Sequence, residues 1–417
     1  MQHSGSLSLK PPLSILLTIL GGAYVIQSLI SMFALQGIPA ILRTEGVSTS
    51  HIGLFYLVML PWALKFLWSP YVETYRKQAN TLKNHTLLIV GAYGLTALLL
   101  GALIYVDLNH LTIIFALITC MALLSTFADI ASDGLAIDQL SEKNRGIGNI
   151  MQVGGSYIGG LIGGGLFLYF VAMQDWQFAL IILLICVLIM SLPAFMLWSN
   201  LFQNLQPQGT SRPSLKYAFS NQTVLYGILF VVISQIGTRL VLAMIIPFLV
   251  DQGLDLKKLG LLAAGGGTMT ALCAVFLSGI IIRYINVKKV FLCVLLLESL
   301  SYTALYFSPQ FSSAITGSIE ALYILCSLLS AAKFVVLYTL LMRWSFGTQS
   351  GVNFSLFQSA DMIVAILCAM IGGWLVTFYG YSTLFLLAFA TTLSAFTIMI
   401  ITNRKIQKNS RLEQQNT

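Results

Sequence analysis

Charge is what this chain has least of. Only 36 of its 417 residues are Asp, Glu, Lys or Arg, 9% of the total, where a soluble globular chain carries about a quarter. No polar stretch is long enough to fold as a domain of its own, which excludes a catalytic domain outside the membrane. Cysteine is sparse too. Cys120, Cys186, Cys273, Cys293, Cys326 and Cys368 stand singly in apolar stretches, and no CxxC spacing points to a structural metal or a disulfide framework. The histidines (His3, His51, His85 and His110) fall in the tail or at helix ends, so a buried proton relay is expected to rest on carboxylates. No glycine run ends in the GK[ST] of a phosphate loop. The first apolar run is too long for a signal peptide and lacks a small-residue cleavage site, so no cleaved leader is expected.

What remains is hydrophobic, 57% of the chain, and it is organised. A helix needs about 20 apolar residues to cross a bilayer. Such spans read near 13–42, 51–74, 84–106, 110–140, 146–173, 176–202, 217–250, 257–282, 287–308, 312–342, 350–378 and 381–403. Twelve helices place both termini on one side. Assigning that side to the cytoplasm puts sixteen Lys and Arg inside and three (Arg43, Lys257, Lys258) outside, with three more within helices. The positive-inside rule is met, so the net charge of +8 is a topology signal and not a nucleic-acid footprint.

An internal repeat sets the architecture. Helix 1 ends in Ile38-Pro39-Ala40-Ile41-Leu42 and is followed by Gly46-Val47-Ser48 and Ile52-Gly53-Leu54. Helix 7 ends in Ile246-Pro247-Phe248-Leu249-Val250 and is followed by Gly253-Leu254-Asp255 and Leu259-Gly260-Leu261. The two match with a one-residue gap. A second echo relates Arg145-Gly146-Ile147-Gly148-Asn149 and Gln152 to Arg343, Gly351-Val352-Asn353 and Gln358. Two parallel six-helix halves are the signature of the major facilitator architecture. The expected fold is all-α and polytopic, with an N-terminal bundle at 1–202, a cytoplasmic linker at 203–216 and a C-terminal bundle at 217–417. In such a fold substrate binds between the halves near the midplane, with helices 1, 4, 7 and 10 lining the cavity.

A charge at the bilayer centre costs about 2.5–3.5 kcal/mol. Eight lie within the spans: Lys65, Asp129, Asp133, Arg239, Glu298, Glu320, Lys333 and Asp361. Glu320 is near enough to a helix end to reach water. Five acids against three cations leave pairing incomplete, and an unpaired carboxylate away from water favours its protonated form. That suits proton coupling, for which Asp129, Asp133, Asp361 and Glu298 are the candidates. Asp129 and Asp133 share one helix face, and either a proton site or a salt bridge to Lys65 fits them. Lys65, Arg239 and Lys333, with Gln235, Gln152 and Gln358, are candidates to hold a substrate, the cations suiting carboxylates or phosphates. For Arg239 and Lys333 the competing reading is pairing with Asp361 or Glu298. Glu73, Arg76, Arg145 and Arg343 are the candidate gating charges in the loops. Gly155, Gly159 and Gly163 in helix 5 form a small-residue stripe, expected to face Gly265-Gly266-Gly267 of helix 8 across a sliding interface. No catalytic residue, metal site or cofactor is expected.

The string Pro61-Trp62-Ala63-Leu64-Lys65-Phe66-Leu67-Trp68-Ser69-Pro70 resembles the helix 2 signature of the AmpG-like transporters. Asp129-Ile130-Ala131-Ser132-Asp133-Gly134 and Arg145-Gly146-Ile147-Gly148-Asn149-Ile150-Met151-Gln152 resemble the same group. That group includes muropeptide permeases, acetyl-CoA transporters and the RhtX/FptX siderophore importers. The resemblance covers the whole layout and is densest between residues 38 and 165. It departs at Glu73, where the superfamily pattern has Asp, and helix 5 lacks the proline of the drug-antiporter motif.

Twelve helices and a short tail are like the siderophore branch. That resemblance implies proton-driven import of an iron-loaded, polycarboxylate siderophore by a monomer in a bacterial inner membrane, and a role for Lys65, Asp129 and Asp133. The alternatives are a muropeptide or other anionic-metabolite permease of the same group, and an exporter of siderophore or drug. The partners expected are a small anionic solute, protons and lipid, with no nucleic acid.

Overall fold

A computed structural model describes residues 12–76, 81–140, 145–199, 215–311, 317–345 and 350–415. Among them, every stretch long and apolar enough to cross a membrane is helical: α1 (Leu13–Thr44), α2 (Thr49–Leu67), α3 (Asn84–Ile104), α4 (Leu111–Ala136), α5 (Met151–Met173), α6 (Trp176–Met196), α7 (Gln222–Asp251), α8 (Leu256–Ile282), α9 (Val287–Ser308), α10 (Ser318–Leu341) and a final stretch, Val352–Ile400. That last stretch has 49 residues, about 74 Å of helix against a hydrocarbon core of about 30 Å. It cannot be one crossing. The backbone breaks at Gly380, with φ 78° and ψ 171°, a conformation open to a residue without Cβ. α11 (352–379) and α12 (381–400) are therefore separate, and twelve crossing helices result, as the sequence predicts.

The repeat seen in the sequence is also a repeat of backbone geometry. α1 closes on Gly46 (φ 80°) and α7 on Gly253 (φ 88°). Val47 N–H donates to Leu42 O at 2.9 Å and Leu254 N–H to Leu249 O at 3.1 Å, the Schellman pattern that satisfies carbonyls at a helix end. Two residues after each glycine an oxygen side chain caps the next helix. Ser48 accepts from His51 N–H and Asp255 from Lys258 N–H, as N-cap chemistry requires. Each turn thus reverses the chain without leaving buried backbone groups unmet.

The chain packs into two compact units. One comprises Met1–Ile41, Leu57–Ser214 and Asp255–Ala264; the other comprises Leu42–Tyr56, Leu215–Leu254 and Gly265–Thr417. Each therefore contains the segment following the α1 or α7 turn from the opposite sequence half. Glycine explains why these segments can seat there. A Cβ on Gly53 would lie 2.3 Å from Ala369 O, and one on Gly260 would lie 2.7 Å from Gly165 O.

In the first unit α1 packs on α5 and α6, and α3 on α4 and α6. The stripe of α5 is taken up within its own unit, by α1. Gly155, Gly159 and Gly163 lie against Gly21, Val25 and Leu29 of α1, while Gly267 meets Tyr323. Only Gly165, beyond the stripe, touches α8, at Ala264. The physical reason is register: the three glycines share one face, and that face meets α1.

α2 is irregular where its charge sits. It tightens to 3₁₀ geometry at Tyr56–Met59 and again at Lys65–Leu67, with Pro61 opening the short α-turn between them. Tight mid-helix turns of this kind often accompany function. α1, α5 and α8 carry widened π-turns at Phe33–Gly37, Leu161–Leu166 and Leu262–Met269. In the second unit α7 packs on α11 and α12, and α10 on α8 and α9.

Candidate functional site

In the first unit, α2 supplies a cation and α4 two carboxylates. Lys65 Nζ lies 3.0 Å from Asp129 Oδ2, both side chains nearly inaccessible. The ammonium also sits 5.1 Å from the Trp62 ring centroid, within range of a cation–π attraction. One turn along α4, Asp133 accepts a 2.6 Å hydrogen bond from the Tyr24 hydroxyl of α1. The two like charges of α4 are thus drawn to different neighbours. His85 of α3 is fully buried, its Nδ1 2.8 Å from Ala131 O between the two aspartates in sequence. A carbonyl oxygen can only accept, so Nδ1 carries the proton. Position near a helix end does not expose this histidine, so it removes the ground on which a buried proton relay was expected to rest on carboxylates.

The second unit holds two clusters. Arg239 of α7 engages Asp361 of α11 through two parallel bonds, Nε to Oδ1 at 3.0 Å and Nη2 to Oδ2 at 2.5 Å. Such fork-to-fork pairing is the strong form of a charged hydrogen bond. Gln235, one turn earlier on α7, donates from Nε2 to Asp361 Oδ1 at 2.9 Å, and Tyr338 of α10 donates to Oδ2 at 3.3 Å. Asp361 is therefore surrounded by donors. Arg239 keeps a fifth of its side chain accessible, and its Nη1 has no protein partner among the described residues.

The other cluster is closed. Lys333 of α10 donates to Glu298 Oε2 of α9 at 2.9 Å, to Ser234 O at 2.6 Å and to Thr238 Oγ1. An ammonium has three N–H donors, and all three are used. Thr238 lies within 3.2 Å of both Glu298 oxygens. Lys333 and Glu298 are each 1% exposed. Glu298 is thus inward despite its place on α9.

Each membrane-embedded cation has its own carboxylate. Glu320 lies in the first turn of its helix, where the helix dipole favours an acid. Gln152 and Gln358 are half-buried on α5 and α11. The side chains of Glu73, Arg76, Arg145 and Arg343 lie outside the described residues.

Two features escape a reading of intramembrane charges alone. Arg43, at the end of α1, pairs with Asp251 at the end of α7, Nε to Oδ1 at 2.6 Å and Nη2 to Oδ2 at 2.7 Å. Tyr381 donates to the same carboxylate at 2.6 Å, and Arg43 Nη1 to Val47 O at 3.0 Å. Arg43 and Asp251 are 208 residues apart, the same separation as Pro39 and Pro247, so they are repeat-equivalent positions of opposite charge. Gln27 and Gln235 share that separation. Each carries a buried Oε1 with no partner, one in each unit.

Residues 227–416 match the family model of the Major Facilitator Superfamily. The chain is similar to the anhydromuropeptide permease of Escherichia coli K12, 23% identical over 412 residues, covering 95% of this chain and 81% of that one. It is similar to a putative transporter, AmpG 4, of Rickettsia felis, 22% identical and covering 88% and 91% of the two chains. The fold matches the crystal structure of a D-xylose–proton symporter with a TM-score of 0.71 at 11% identity, over 93% of this chain and 96% of that one. The fold is the major facilitator fold, and the protein is a multi-pass secondary transporter of that type, not an enzyme.

Proposed function

We propose that this protein imports a muropeptide-class solute, an anionic sugar–peptide, across a bacterial inner membrane by proton-coupled alternating access. The likeness to an anhydromuropeptide permease over 95% of this chain supports this class over the ferric siderophore favoured by helix number and tail length. The observation that carries the reading is the Arg239–Asp361 pair. It is an embedded cation with an accessible side chain and an open Nη1 edge, so it can meet a substrate carboxylate while Asp361 stays held by Gln235 and Tyr338. Lys65 and Lys333 are nearly inaccessible and serve better as helix ties. Asp133, one turn from the Lys65–Asp129 pair and accepting from the Tyr24 hydroxyl, is the preferred proton carrier.

The test is uptake of radiolabelled anhydromuropeptide into membrane vesicles bearing an inward proton gradient, beside a ferric siderophore arm. Uptake of the muropeptide, abolished by a protonophore, is expected. Asp133→Asn should remove the dependence of uptake on external pH, and Arg239→Gln should raise KM at least tenfold, equivalent to about 1.4 kcal/mol. Uptake of the siderophore alone would restore the first reading, and uptake indifferent to the protonophore would end the coupling claim.

The Arg43–Asp251–Tyr381 cluster sits at the helix ends that the charge distribution assigns to the outside. In this reading it is a latch that must open in each cycle. Its side chains are about a quarter exposed, which limits its strength. Arg43→Asp or Asp251→Arg alone should slow uptake by about three- to tenfold, for loss of a partly screened bidentate pair. The double reversal should restore at least half, because repeat-equivalent positions can exchange signs. A double variant slower than either single would remove the pair from the cycle.

A further inference from the structure

We propose that Phe334 and Tyr338 of α10 form the platform on which the substrate's sugar ring stacks, with Gln235 Oε1 accepting a hydrogen bond from an N–H or O–H of that sugar. This rests on the muropeptide reading and assigns a subsite within it.

The two rings are one turn apart on α10, with centroids 4.0 Å apart and planes at 29°. Residues four apart share a helix face, so the rings stack on each other and Tyr338 backs Phe334, whose outer face is left for a ligand. Phe334 is 46% exposed, although its neighbour Lys333 is 1% exposed. A half-exposed ring on a membrane helix could simply face lipid, and two facts argue otherwise. The Tyr338 hydroxyl donates to Asp361, so the platform adjoins the polar cluster. The exposed apolar residue Leu325 precedes Phe334 by nine positions, about 180° around the helix at 3.6 residues per turn. Leu325 and Phe334 therefore occupy opposite sides of α10, and it is the Phe334 side that carries the link to Arg239 and Asp361.

The polar groups beside the platform specify the ligand. Gln235 is 4% exposed. Its Nε2 donates to Asp361, which fixes the amide's orientation, since a carboxylate cannot donate to an amide oxygen. Its Oε1 is then left buried without a partner, and an unmet buried acceptor is costly. A donor is missing there. Arg239 Nη1, one turn along the same helix, offers the opposite character, a positive edge for an anion. A flat C–H face for the rings, an N–H or O–H for the glutamine and a carboxylate for the arginine describe an acidic or N-acylated sugar. A bare peptide would use the arginine and leave the rings idle.

The experiment uses the full chain in vesicles with three probes: radiolabelled anhydromuropeptide, the same peptide without sugar as a competitor, and N-acetylglucosamine as a competitor. Phe334→Leu keeps an apolar side chain and should raise KM for the muropeptide about tenfold, equivalent to about 1.4 kcal/mol of lost stacking, with kcat unchanged. Competition by the sugar-free peptide should be unaltered and competition by N-acetylglucosamine lost. Phe334→Tyr should return KM to within twofold of wild type. Gln235→Leu should raise KM for the muropeptide in the same way.

If wild type transports and Phe334→Leu leaves KM within twofold, the platform is overturned while the import reading stands. A weakening that extends equally to the sugar-free peptide would also overturn the sugar assignment. If wild type transports no muropeptide at all, the import reading falls and takes the subsite with it.

Discussion

Lys333→Met is expected to lower stability by about 3–5 kcal/mol, the range found when one member of a buried ion pair is removed, and Glu298→Gln to cost a similar amount. The double variant is expected to recover most of that loss. The reason lies in what each change leaves behind. Lys333 gives all three donors to Glu298, Ser234 and Thr238, and the pair is sealed from water. Removing the lysine strands a carboxylate among α7, α9 and α10, whereas removing both charges leaves a slot that apolar and amide groups can fill. Thermal unfolding in detergent reads the result, and a double variant no better than Lys333→Met would show that charge balance does not set the stability here. The same set bears on function. A lysine with no donor to spare has nothing to offer a substrate, so the refolded double variant should transport with KM within about twofold of wild type, a change below 0.5 kcal/mol. A large rise in KM would return Lys333 to the substrate site.

Much of the fold was legible because membrane helices declare themselves by length and apolarity, and because the α1 and α7 turns repeat the same Gly and cap chemistry. The embedded charges were legible for the same reason, being rare and costly. Their partners were not. Whether Arg239 meets Asp361 or Glu298 depends on how α7, α9 and α11 are rotated, and helices apolar on nearly every side carry no periodic stripe to report rotation. The Arg43–Asp251 pair was hidden differently, since both residues look like ordinary end-of-helix charges. The repeat separation shared with Pro39 and Pro247 was the available signal. Tyr24, Tyr338 and Phe334 carry no signal in the sequence, because aromatic residues are common in membrane helices and only their contacts distinguish them. The burial of His85 was hidden because position along a helix does not report what packs on it.

The glycine stripe of α5 gives the second large effect, and it connects packing to coupling. A Cβ on Gly159 would stand 2.1 Å from Val25 O and 2.8 Å from Leu29 N, and one on Gly163 would stand 2.0 Å from Leu29 O. Ordinary contact begins near 3.4 Å, and these neighbours are backbone atoms that no rotamer change can move. Gly154, in the same helix, has nothing within 4 Å. Alanine is better than glycine in a helix by about 1 kcal/mol, so Gly154→Ala should be neutral or mildly stabilising. Gly159→Ala should instead destabilise by about 3 kcal/mol, the upper end of the overpacking range, because α1 must part from α5. α1 also carries Tyr24, whose hydroxyl holds Asp133 at 2.6 Å, and Gly22, where a Cβ would lie 2.4 Å from Met190 O of α6. Pressed from the α5 side and blocked on the α6 side, α1 can only slide or tilt, which strains the Tyr24–Asp133 bond along with the Ser28–Ser156 bond across the α1–α5 contact. Gly159→Ala protein that still folds should therefore take up substrate with a pH dependence like that of Asp133→Asn. Measuring both variants side by side decides the matter: a Gly159→Ala protein as stable as Gly154→Ala, or one that is unstable yet keeps the wild-type pH profile, would separate the α1–α5 contact from the proton site.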